Sequence, residues 1–446
     1  MSTAPLSHEL VELIENVTVW SGGEWLSSRD VHLGNGRVTA IVPTGQLPSP
    51  ARRDTVLDAS NGHLIPGLVN THTHLHQARM RGIGEGRPLL SWLLEVGEET
   101  VALTPAQAYA AAAAAAVEAL RSGTTTLVEH AWPHRNAEVY AAVLRALTDT
   151  GIRAVLCRGV ADRADGTRKW GSDPRLLQPL DEVFDHTDKL AADAAGTRVS
   201  LGLAVPNPRS LTPEGMRAVR EFADARGLPV SIHLLETTTD DEMCREHAGV
   251  GAVEYLARAD FLWERLLAVH CVALDDAGQA ELARRGVAVS YNPLSNMRLG
   301  SGIAPVPDML AAGLRVGLGV DGAASNDTQD GLEAMRIGAY LQRAGRRRAD
   351  LLGFPDMLDI ATNGANTVLG LEEVPAGVVV GMRADLVLHR FERDFACLPV
   401  RDPGATLLTC ASNRTVDTVL VGGEAVVTDG RSTRVAEAAL VQALLA

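Results

Sequence analysis

The sequence predicts an α/β fold, a (β/α)₈ TIM barrel accompanied by a small β-sandwich domain that is formed from both chain ends. Three observations support this prediction. At 446 residues the chain is longer than a typical single domain. Short β-like runs separated by turn residues fill both ends of the chain. The middle instead alternates apolar, β-branched runs with helical segments, which is typical of parallel βαβ units.

The two chain ends share one pattern. Each end contains short runs of β-forming residues that are separated by turn signals such as Gly422-Gly423. Because the two ends resemble each other and differ from the middle, we assign residues 1–65 and 378–446 to one composite β-sandwich domain. The predicted strands of this domain are 17–20, 31–33, 38–42, 384–388, 418–421 and 424–428.

The middle of the chain, residues 66–377, is predicted to form the barrel. Eight apolar runs are each followed by a polar or Gly/Pro-rich loop and then by a helical stretch, and such a barrel usually needs about 250 residues or more. An open, doubly wound sheet is the alternative, but no G-x-G-x-x-G segment follows the first strand. The predicted barrel strands are 64–70, 125–129, 154–160, 199–205, 230–233, 267–271, 287–291 and 316–320.

Composition and charge argue against several classes of partner. A net charge of −14 and a pI near 5.4 offer no basic surface for nucleic acid. The longest run of small apolar residues, 110–117, is too short to span a membrane. The five cysteines include no C-x-x-C pair, and residues 1–10 lack the basic and apolar segments of a signal peptide. We therefore expect a cytoplasmic protein with neither a nucleic-acid nor a membrane partner.

Metal-binding side chains stand at the ends of several predicted strands. His72 and His74 close the first barrel strand, and one ion can bind both because alternate residues of a strand project to the same side. His233, His270 and Asp321 close the fifth, sixth and eighth strands. Barrel active sites form at these carboxyl ends, where buried imidazole and carboxylate groups need partners. One divalent ion would be a common partner for most of them, so the pattern predicts a metal site.

Five segments near strand ends add a more specific pattern. They are Pro66-Gly67-Leu68-Val69-Asn70-Thr71-His72-Thr73-His74, His233-Leu234-Leu235-Glu236, Asn292-Pro293-Leu294-Ser295-Asn296, Asp321-Gly322-Ala323-Ala324-Ser325-Asn326-Asp327 and Gly381-Met382-Arg383-Ala384-Asp385-Leu386. Each segment alone is weak, but as a set they resemble the amidohydrolase superfamily, specifically its cytosine-deaminase-like aminohydrolase branch. The match extends over nearly all of the chain.

The resemblance implies a metal centre with a single ion. Binuclear relatives carry a carboxylated lysine at or near the end of the fourth strand, whereas residues 204–208 contain no lysine here. Zinc suits a shell of three histidines and one aspartate with an open position for water. Iron(II) or manganese is the alternative, because both accept the same nitrogen and oxygen ligands. The expected ligands are His72, His74, His233 and Asp321.

The resemblance also implies three catalytic side chains. A divalent ion lowers the pKa of a bound water from about 15.7 towards 7, and Asp321 would bind the ion and accept the proton of that water. His270 would hydrogen-bond the nucleophile, with direct metal binding as a fifth ligand as the alternative. Glu236 would protonate a ring nitrogen and then the leaving amine, a role worth about 10² to 10⁴ in rate.

Other polar and aromatic residues near the strand ends are candidates for substrate contact. Some lie in the segment after His74, and others close the second, third and fourth strands. A carboxylate such as Glu129 would accept hydrogen bonds from an exocyclic amine. The candidates are Gln77, Arg79, Arg81, Trp92, Glu129, His130, Trp132, Arg158 and Asn207.

We therefore expect an aminohydrolase that replaces a ring amine of a purine-, pterin- or triazine-like heterocycle with water and releases ammonia. An 8-oxoguanine-type deaminase is the best single assignment. The alternatives are an s-triazine chloride or alkylamine hydrolase and a formimino or guanidino hydrolase. The retained Asp321, which some triazine hydrolases lack, favours a deaminase. A non-catalytic scaffold is the remote alternative, because the whole ligand set is kept. Relatives commonly form dimers or larger assemblies, so we expect a homodimer or higher homo-oligomer.

Overall fold

The computed structural model describes residues 10–372 and 376–445. The expectation that no leader is present depends almost entirely on residues 1–9, which lie outside the described residues. Residues 373–375, next to the predicted domain limit at 377, also lie outside them. Among the described helices, none is both long enough and apolar enough to cross a membrane.

Strands occur at both chain ends and through the middle of the chain. In chain order they are β1 (Leu13–Ser21), β2 (Glu24–Gly34), β3 (Arg37–Pro43), β4 (Val56–Asp58), β5 (His63–Pro66), β6 (Leu68–Thr73), β7 (Thr124–His130), β8 (Arg153–Gly159), β9 (Val199–Val205), β10 (Val230–Leu234), β11 (Leu266–His270), β12 (Ala288–Tyr291), β13 (Arg315–Leu318), β14 (Leu386–His389), β15 (Val416–Val421), β16 (Glu424–Thr428) and β17 (Arg431–Ser432).

Helices lie between the strands of the middle region and follow the last strand. In chain order they are α1 (Leu89–Val101), α2 (Pro105–Arg121), α3 (Ala137–Thr150), α4 (Leu180–Asp193), α5 (Pro213–Arg226), α6 (Thr238–Ala248), α7 (Ala252–Arg258), α8 (Asp276–Arg285), α9 (Pro293–Arg298), α10 (Val306–Ala311), α11 (Gly331–Arg346), α12 (Phe354–Thr362), α13 (Pro403–Thr409) and α14 (Glu437–Leu445).

The middle strands form the predicted barrel. Strands β6 to β13 lie side by side in chain order, and every neighbouring pair is parallel. The last strand meets the first through backbone N–H groups: that of Asp321 donates to the carbonyl of His72 at 2.9 Å. That of Val320 donates to Asn70 Oδ1 at 3.1 Å. The TIM-barrel prediction is confirmed, and the carboxyl ends of the strands surround a single mouth.

The strands of the two chain ends form one separate mixed sheet, as the sequence predicted for a small β domain. Its order is β17-β16-β15-β14-β5-β1-β2-β3, with β4 paired to β1. Apolar side chains from both ends share one core, in which Val19 and Val31 from the start pack in the same cluster as Leu386 and Leu420 from the end. The domain therefore needs both termini of the chain.

The predicted first barrel strand, 64–70, is divided between the two sheets. Strand β5 ends at Pro66 and pairs with β14, whereas β6 begins at Leu68 and pairs with β7. Gly67 separates them because a Cβ atom there would lie 2.1 Å from the Thr125 hydroxyl. Pro66 and the close approach of the Gly67 backbone to its neighbour end β5 and begin β6. The continuous apolar run in the sequence did not show this boundary.

Helix α2 shows how an alanine-rich segment covers the barrel. Thr104 caps its first turn in a capping box with Gln107, and Pro105 occupies the first helical position. Its buried face is almost entirely alanine, so the helix backbone lies close to β7 and to α3. The carboxyl-terminal α14 packs on the same helix.

Candidate active site

The four predicted metal ligands converge at the mouth of the barrel. His72 lies on β6 and His74 directly follows it, while His233 lies on β10 and Asp321 follows β13. The Nε2 atoms of His74 and His233 are 3.3 Å apart. Asp321 Oδ1 lies 3.4 Å from Nε2 of His72 and 3.5 Å from Nε2 of His74. Nitrogen atoms of the three histidines lie within 4.8 Å of one another, a spacing that suits one ion.

The hydrogen bonds of the candidate ligand histidines leave free the ring nitrogens that a metal would bind. Nδ1 of His74 lies 2.7 Å from the carbonyl oxygen of His130. A carbonyl only accepts, so Nδ1 donates and the lone pair of Nε2 faces the cluster. Both ring nitrogens of His72, and Nδ1 of His233, are buried without a hydrogen-bond partner. Buried polar atoms are rarely left unpartnered, and Nε2 of His72, which lies in the same cluster as Nε2 of His74 and Nε2 of His233, fits a ligand of one divalent ion.

The electrostatics of the cluster favour the protonation states that bind metal. Burial, with His72 nearby, lowers the pKa of His74 to about 4. Burial and the same neighbouring histidines hold the pKa of His233 well below its usual range. For Asp321 burial acts to raise the pKa, but hydrogen bonding and charge from His72 outweigh it and keep that pKa well below the usual range. At neutral pH the imidazoles of His74 and His233 are therefore neutral and the carboxylate of Asp321 is charged, as metal binding requires.

The backbone is strained at the strand ends that bear these groups. His270, the last residue of β11, has φ of 74°, and Asp321 has φ of 67°. Leu235, between His233 and Glu236, has φ of 50°. Left-handed conformations are unfavourable for residues other than glycine, and they concentrate at sites where a side chain must be held in an unusual direction. Here they turn side chains at three strand ends towards one space.

A carboxyl group and a further imidazole face the ligand cluster. Nε2 of His270 lies 3.6 Å from Glu236 Oε2 and 4.0 Å from Asp321 Oδ2. Nδ1 of His270 lies 3.0 Å from the amide nitrogen of Asn296, which donates, so Nε2 carries the ring proton. Burial, with Asp321 as the next contributor, raises the pKa of Glu236 well above its usual range. A protonated carboxyl and an N–H donor therefore stand beside the cluster.

These groups open into one shared cavity, the kind of concave site in which small molecules bind. One side of it is apolar and the other carries the polar and charged groups. Its lining residues are His74, His76, Gln77, Leu89, Trp92, Leu93, Val96, Gly97, Thr100, Trp132, Arg168, Pro206, Asn207, Arg209, His233, Glu236, Asp240, His270, Leu299 and Asp321.

Comparison with known proteins identifies the family. The sequence model of the amidohydrolase family matches residues 63–426. The chain belongs to the amidohydrolase family. It is 36% identical over 398 residues, 89% of each chain, to a 5-methylthioadenosine/S-adenosylhomocysteine deaminase of Desulforudis audaxviator. It is 33% identical over 408 residues, again 89% of each chain, to an 8-oxoguanine deaminase of Pseudomonas aeruginosa.

A solved structure agrees with this assignment. The zinc-bound adenosine deaminase from Xanthomonas campestris superposes with a TM-score of 0.87 at 26% identity, covering 97% of this chain and 96% of that one. The predicted family is confirmed, and with it the class of hydrolase, which acts on carbon–nitrogen bonds.

In this amidohydrolase, four of the nine residues predicted to contact substrate line the cavity, namely Gln77, Trp92, Trp132 and Asn207. Trp92 is buried on α1, and its Nε1 donates to the carbonyl of Ala324 at 3.1 Å. The side-chain oxygen of Gln77 accepts from the backbone N–H of the same residue, Ala324, at 3.3 Å. Both side chains thus connect the segment after β6 with the loop after β13.

Three of the predicted arginine contacts are engaged away from the cavity. Arg79 donates to two carbonyl oxygens at the end of α14 at 3.4 Å. Arg81 forms an ion pair with Glu118 on α2. Arg158 is buried under the ring of Tyr140, 4.6 Å from its centroid, and donates to neighbouring oxygen acceptors. These guanidinium groups support the loops around the mouth and do not line the cavity.

The two predicted contacts at the end of β7 also point elsewhere. Glu129 lines an adjoining cavity that shares Trp132 with the first, and it accepts the backbone N–H of Leu75 at 2.8 Å. Burial raises the pKa of Glu129 to about 8. The ring of His130 lies beside the ligand histidines, and its Nδ1 is 3.0 Å from the Ser231 hydroxyl. Glu129 and His130 thus contact the segment at His74 and Leu75, and neither residue lines the cavity that contains the ligand cluster.

Several lining residues were not identified from the sequence. Helix α1 covers the cavity with an apolar face, and Leu299 extends that face from the loop after β12. Arg168 approaches from the loop after β8 and donates to the carbonyl of Leu93 at 2.5 Å. Arg209 and Asp240 form a buried ion pair at 2.7 Å. For the Arg209–Asp240 pair, the only indication in the sequence was that Pro208-Arg209 follows the end of a predicted strand. For α1, the sequence pattern of its apolar face does not distinguish it from a helix packed in the core.

Proposed function

We propose that this amidohydrolase is a mononuclear metal-dependent aminohydrolase, which replaces an amine on a purine-, pterin- or triazine-like ring with water and releases ammonia. The observation that carries the proposal is the position of the raised-pKa carboxyl of Glu236 in the same cavity as the ligand cluster. Deamination of a ring needs both an activated water and a group that protonates nitrogen, and these residues supply both functions.

One ion, most simply zinc, fits the residues. His72, His74 and His233 offer imidazole nitrogens and Asp321 a carboxylate, which is a common zinc ligand set. A second ion would need a bridging ligand, and both lysines of the chain, Lys169 and Lys189, are absent from the cavity lining. When bound, the ion lowers the pKa of a water so that a nucleophile is available at neutral pH.

The remaining steps belong to side chains. Asp321 accepts a proton from the water as its oxygen attacks the amine-bearing carbon of the ring. Glu236, kept protonated by burial, donates a proton to the adjacent ring nitrogen and so draws charge away from that carbon. The ionised Glu236 then takes the hydroxyl proton of the adduct and delivers it to the amine nitrogen, so that the carbon–nitrogen bond breaks, the ring carbonyl forms and ammonia leaves. The proton held by Asp321 passes to Glu236, which returns both carboxyl groups to their starting states. The Nε2–H of His270 stabilises the negative charge that develops on the attacking oxygen.

Relatives that deaminate purine-like rings support the substrate class, and 8-oxoguanine is our best single candidate. We also propose a homodimer or higher homo-oligomer, which light scattering of the purified protein would test. The five free cysteines suit a reducing compartment, so a cytoplasmic location is part of the proposal.

Ammonia release from a panel of amines tests the function. The zinc-loaded protein would be incubated with 8-oxoguanine, guanine, isoxanthopterin, methylthioadenosine and ammeline, with formiminoglutamate as a non-ring amine. We expect ammonia from one or more ring amines and an ordinary turnover number, about 1 to 10³ per second, for the best of them. Ammonia from formiminoglutamate alone, or from no compound while metal analysis finds one ion per chain, would overturn the proposal.

A further inference from the structure

A buried arginine in the cavity wall has no role in the reaction described so far. Arg209 lies in the short turn after β9, 3% exposed, and lines the same cavity as Glu236. Its Nη1 donates to Asp240 Oδ1 at 2.7 Å. Asp240 begins α6, and its other oxygen, Oδ2, accepts the N–H of Thr237 at 3.1 Å. The ion pair therefore fixes the guanidinium against the start of α6.

The guanidinium of Arg209 keeps donors that no protein group uses. Its Nε atom is buried without a hydrogen-bond partner, and its Nη2 finds no acceptor within residues 10–372 and 376–445. A guanidinium carries five N–H donors in a planar fork. Leaving a buried charged donor without an acceptor is costly, and Asp240 meets only part of the demand. An acceptor in the bound substrate would satisfy the rest.

The amide side chains beside Arg209 present donors as well. Asn207 Oδ1 accepts the backbone N–H of Arg209 at 3.0 Å and the hydroxyl of Ser210 at 3.2 Å, which leaves its NH₂ group for the cavity. Gln77 Oε1 accepts the N–H of Ala324 at 3.3 Å, so its NH₂ group is likewise available. Because backbone N–H groups only donate, they fix which end of each amide is the acceptor. Arg209, Asn207 and Gln77 therefore each have N–H groups available for a ligand in the cavity.

We propose that Arg209 binds an exocyclic oxygen of the substrate ring and thereby makes this chain selective for amino heterocycles that also carry an oxo group. The inference rests on the proposed function, since it names the class of ring that the same site accepts. An oxo group, particularly one with partial negative charge from an adjacent ring nitrogen, accepts from the guanidinium fork. A ring with an amine or hydrogen at that position leaves the buried donors unpaired and is rejected.

Pairs of amines that differ by one oxo group test this selectivity. Guanine is compared with 2-aminopurine, 8-oxoguanine with guanine, and ammeline with melamine, by kcat/KM for ammonia release with zinc-loaded protein. For at least one pair we expect the oxo-bearing ring to be preferred by about 10- to 100-fold, the value of a hydrogen bond to a charged donor. That preference should fall to within about 3-fold in Arg209→Met, because the loss should affect only the oxo-bearing member.

Two further variants keep the test interpretable. Arg209→Lys retains the charge beside Asp240, so it should fold even if Arg209→Met does not, and the loss of the planar fork should still reduce the preference. Arg163→Met is the matched control. Like Arg209, Arg163 lies in the segment after a barrel strand, in this case β8, but it packs over Trp170 at 4.9 Å and is absent from the cavity lining, so the preference should be unchanged.

A binding measurement separates this inference from the proposed function. Urate and xanthine differ by one oxo group and carry no amine to release, so their affinities are measured by calorimetry without turnover. Tighter binding of urate that is lost in Arg209→Met and reduced in Arg209→Lys supports the inference even if no amine is deaminated. The Arg209 inference would be overturned if the variants affected oxo-bearing and oxo-free compounds equally in both measurements. The proposed function would still stand in that case if the unaltered protein releases ammonia.

Discussion

The Nε2 atoms of His74 and His233 lie 3.3 Å apart, with the lone pair of His74 facing its neighbour. The two residues lie at the ends of strands on different parts of the barrel wall, and the spacing of their nitrogens fits a shared cation. The ends of β6 and β10 thus contribute side chains to the same candidate metal site. This relationship gives the first prediction.

Replacement of His233 by alanine should abolish metal binding. The remaining ligands leave the sphere incomplete, so the metal content should fall from about one ion per chain towards zero, and ammonia release should fall with it. Metal analysis of protein purified in zinc-containing medium measures this directly. His247→Ala is the control, because His247 is an exposed histidine stacked on Trp170 and should not alter metal content. Full occupancy in His233→Ala would contradict the ligand assignment.

Replacement of Glu236 by glutamine should separate catalysis from metal binding. The amide keeps the size of the side chain but does not transfer protons, so kcat should fall by about 10² to 10⁴ while metal content stays near one ion per chain. Glu242→Gln changes an exposed carboxylate of α6 and should leave both quantities unchanged. Loss of metal in Glu236→Gln would make Glu236 a ligand instead of a proton carrier.

The convergence of the candidate metal ligands was predictable because the sequence gives both their residue types and their positions at strand ends. Histidines and carboxylates at strand ends must share the barrel mouth once the barrel is recognised, and their spacing along β6 fixes a common side. The fold was predictable for a similar reason, since the period of apolar runs identifies each strand. The division of 64–70 at Gly67 was not, because it depends on contact with Thr125 from another strand.

The residues that line the cavity were harder to predict, because the sequence of a fully buried strand does not show to which side each side chain points. All residues of β7 are buried, so its pattern does not tell which side chains face the barrel axis, and Glu129 proved to face an adjoining cavity. The Arg209–Asp240 pair joins residues 31 positions apart, and only the contact between the turn after β9 and the first turn of α6 brings them together. Such pairs depend on loop geometry, which local patterns do not specify.

Acid should destabilise the protein through buried histidines of the end sheet. Burial lowers the pKa of His389 to about 3 and that of His63, which stacks on Phe391 at 4.4 Å, to about 4. The unfolded chain takes up these protons near pH 6.5, whereas the folded chain does not. Stability is therefore complete above about pH 6.5 and falls as the pH decreases towards 3, and His389 alone costs about 2 kcal/mol at pH 5.

Urea unfolding between pH 5 and 7.5 measures this effect. His389→Gln retains a hydrogen-bonding partner for Thr415, whose hydroxyl lies 3.1 Å from Nδ1, but removes the titrating group. The free energy of unfolding should therefore depend on pH less steeply in His389→Gln, by about one proton per molecule below pH 6. The metal ligands titrate equally in the unaltered protein and in His389→Gln, so their contribution cancels when the two pH curves are subtracted. Parallel curves would mean that His389 is protonated in the folded state.

An ion pair should couple the barrel to the end sheet. Arg153 begins β8 and contacts Asp385, next to β14, through two hydrogen bonds of 2.9 and 3.1 Å, and Asp385 also accepts the N–H of Gly422 at 2.6 Å. The two side chains are 16% and 12% exposed, so solvent screens them only in part. Bidentate geometry at such a position should give the pair a measurable coupling energy, about 1 to 2 kcal/mol.

A double-mutant cycle on unfolding free energy, with Arg153→Met and Asp385→Asn singly and together, isolates that coupling. The same cycle at Arg348 and Asp350, whose side chains are 60% and 68% exposed, is the control and should give no more than about 0.5 kcal/mol. Metal-loaded protein is used for every variant, so that ligand binding contributes equally. If the two cycles gave the same small value, the Arg153–Asp385 contact would contribute nothing to the association of the barrel with the sheet.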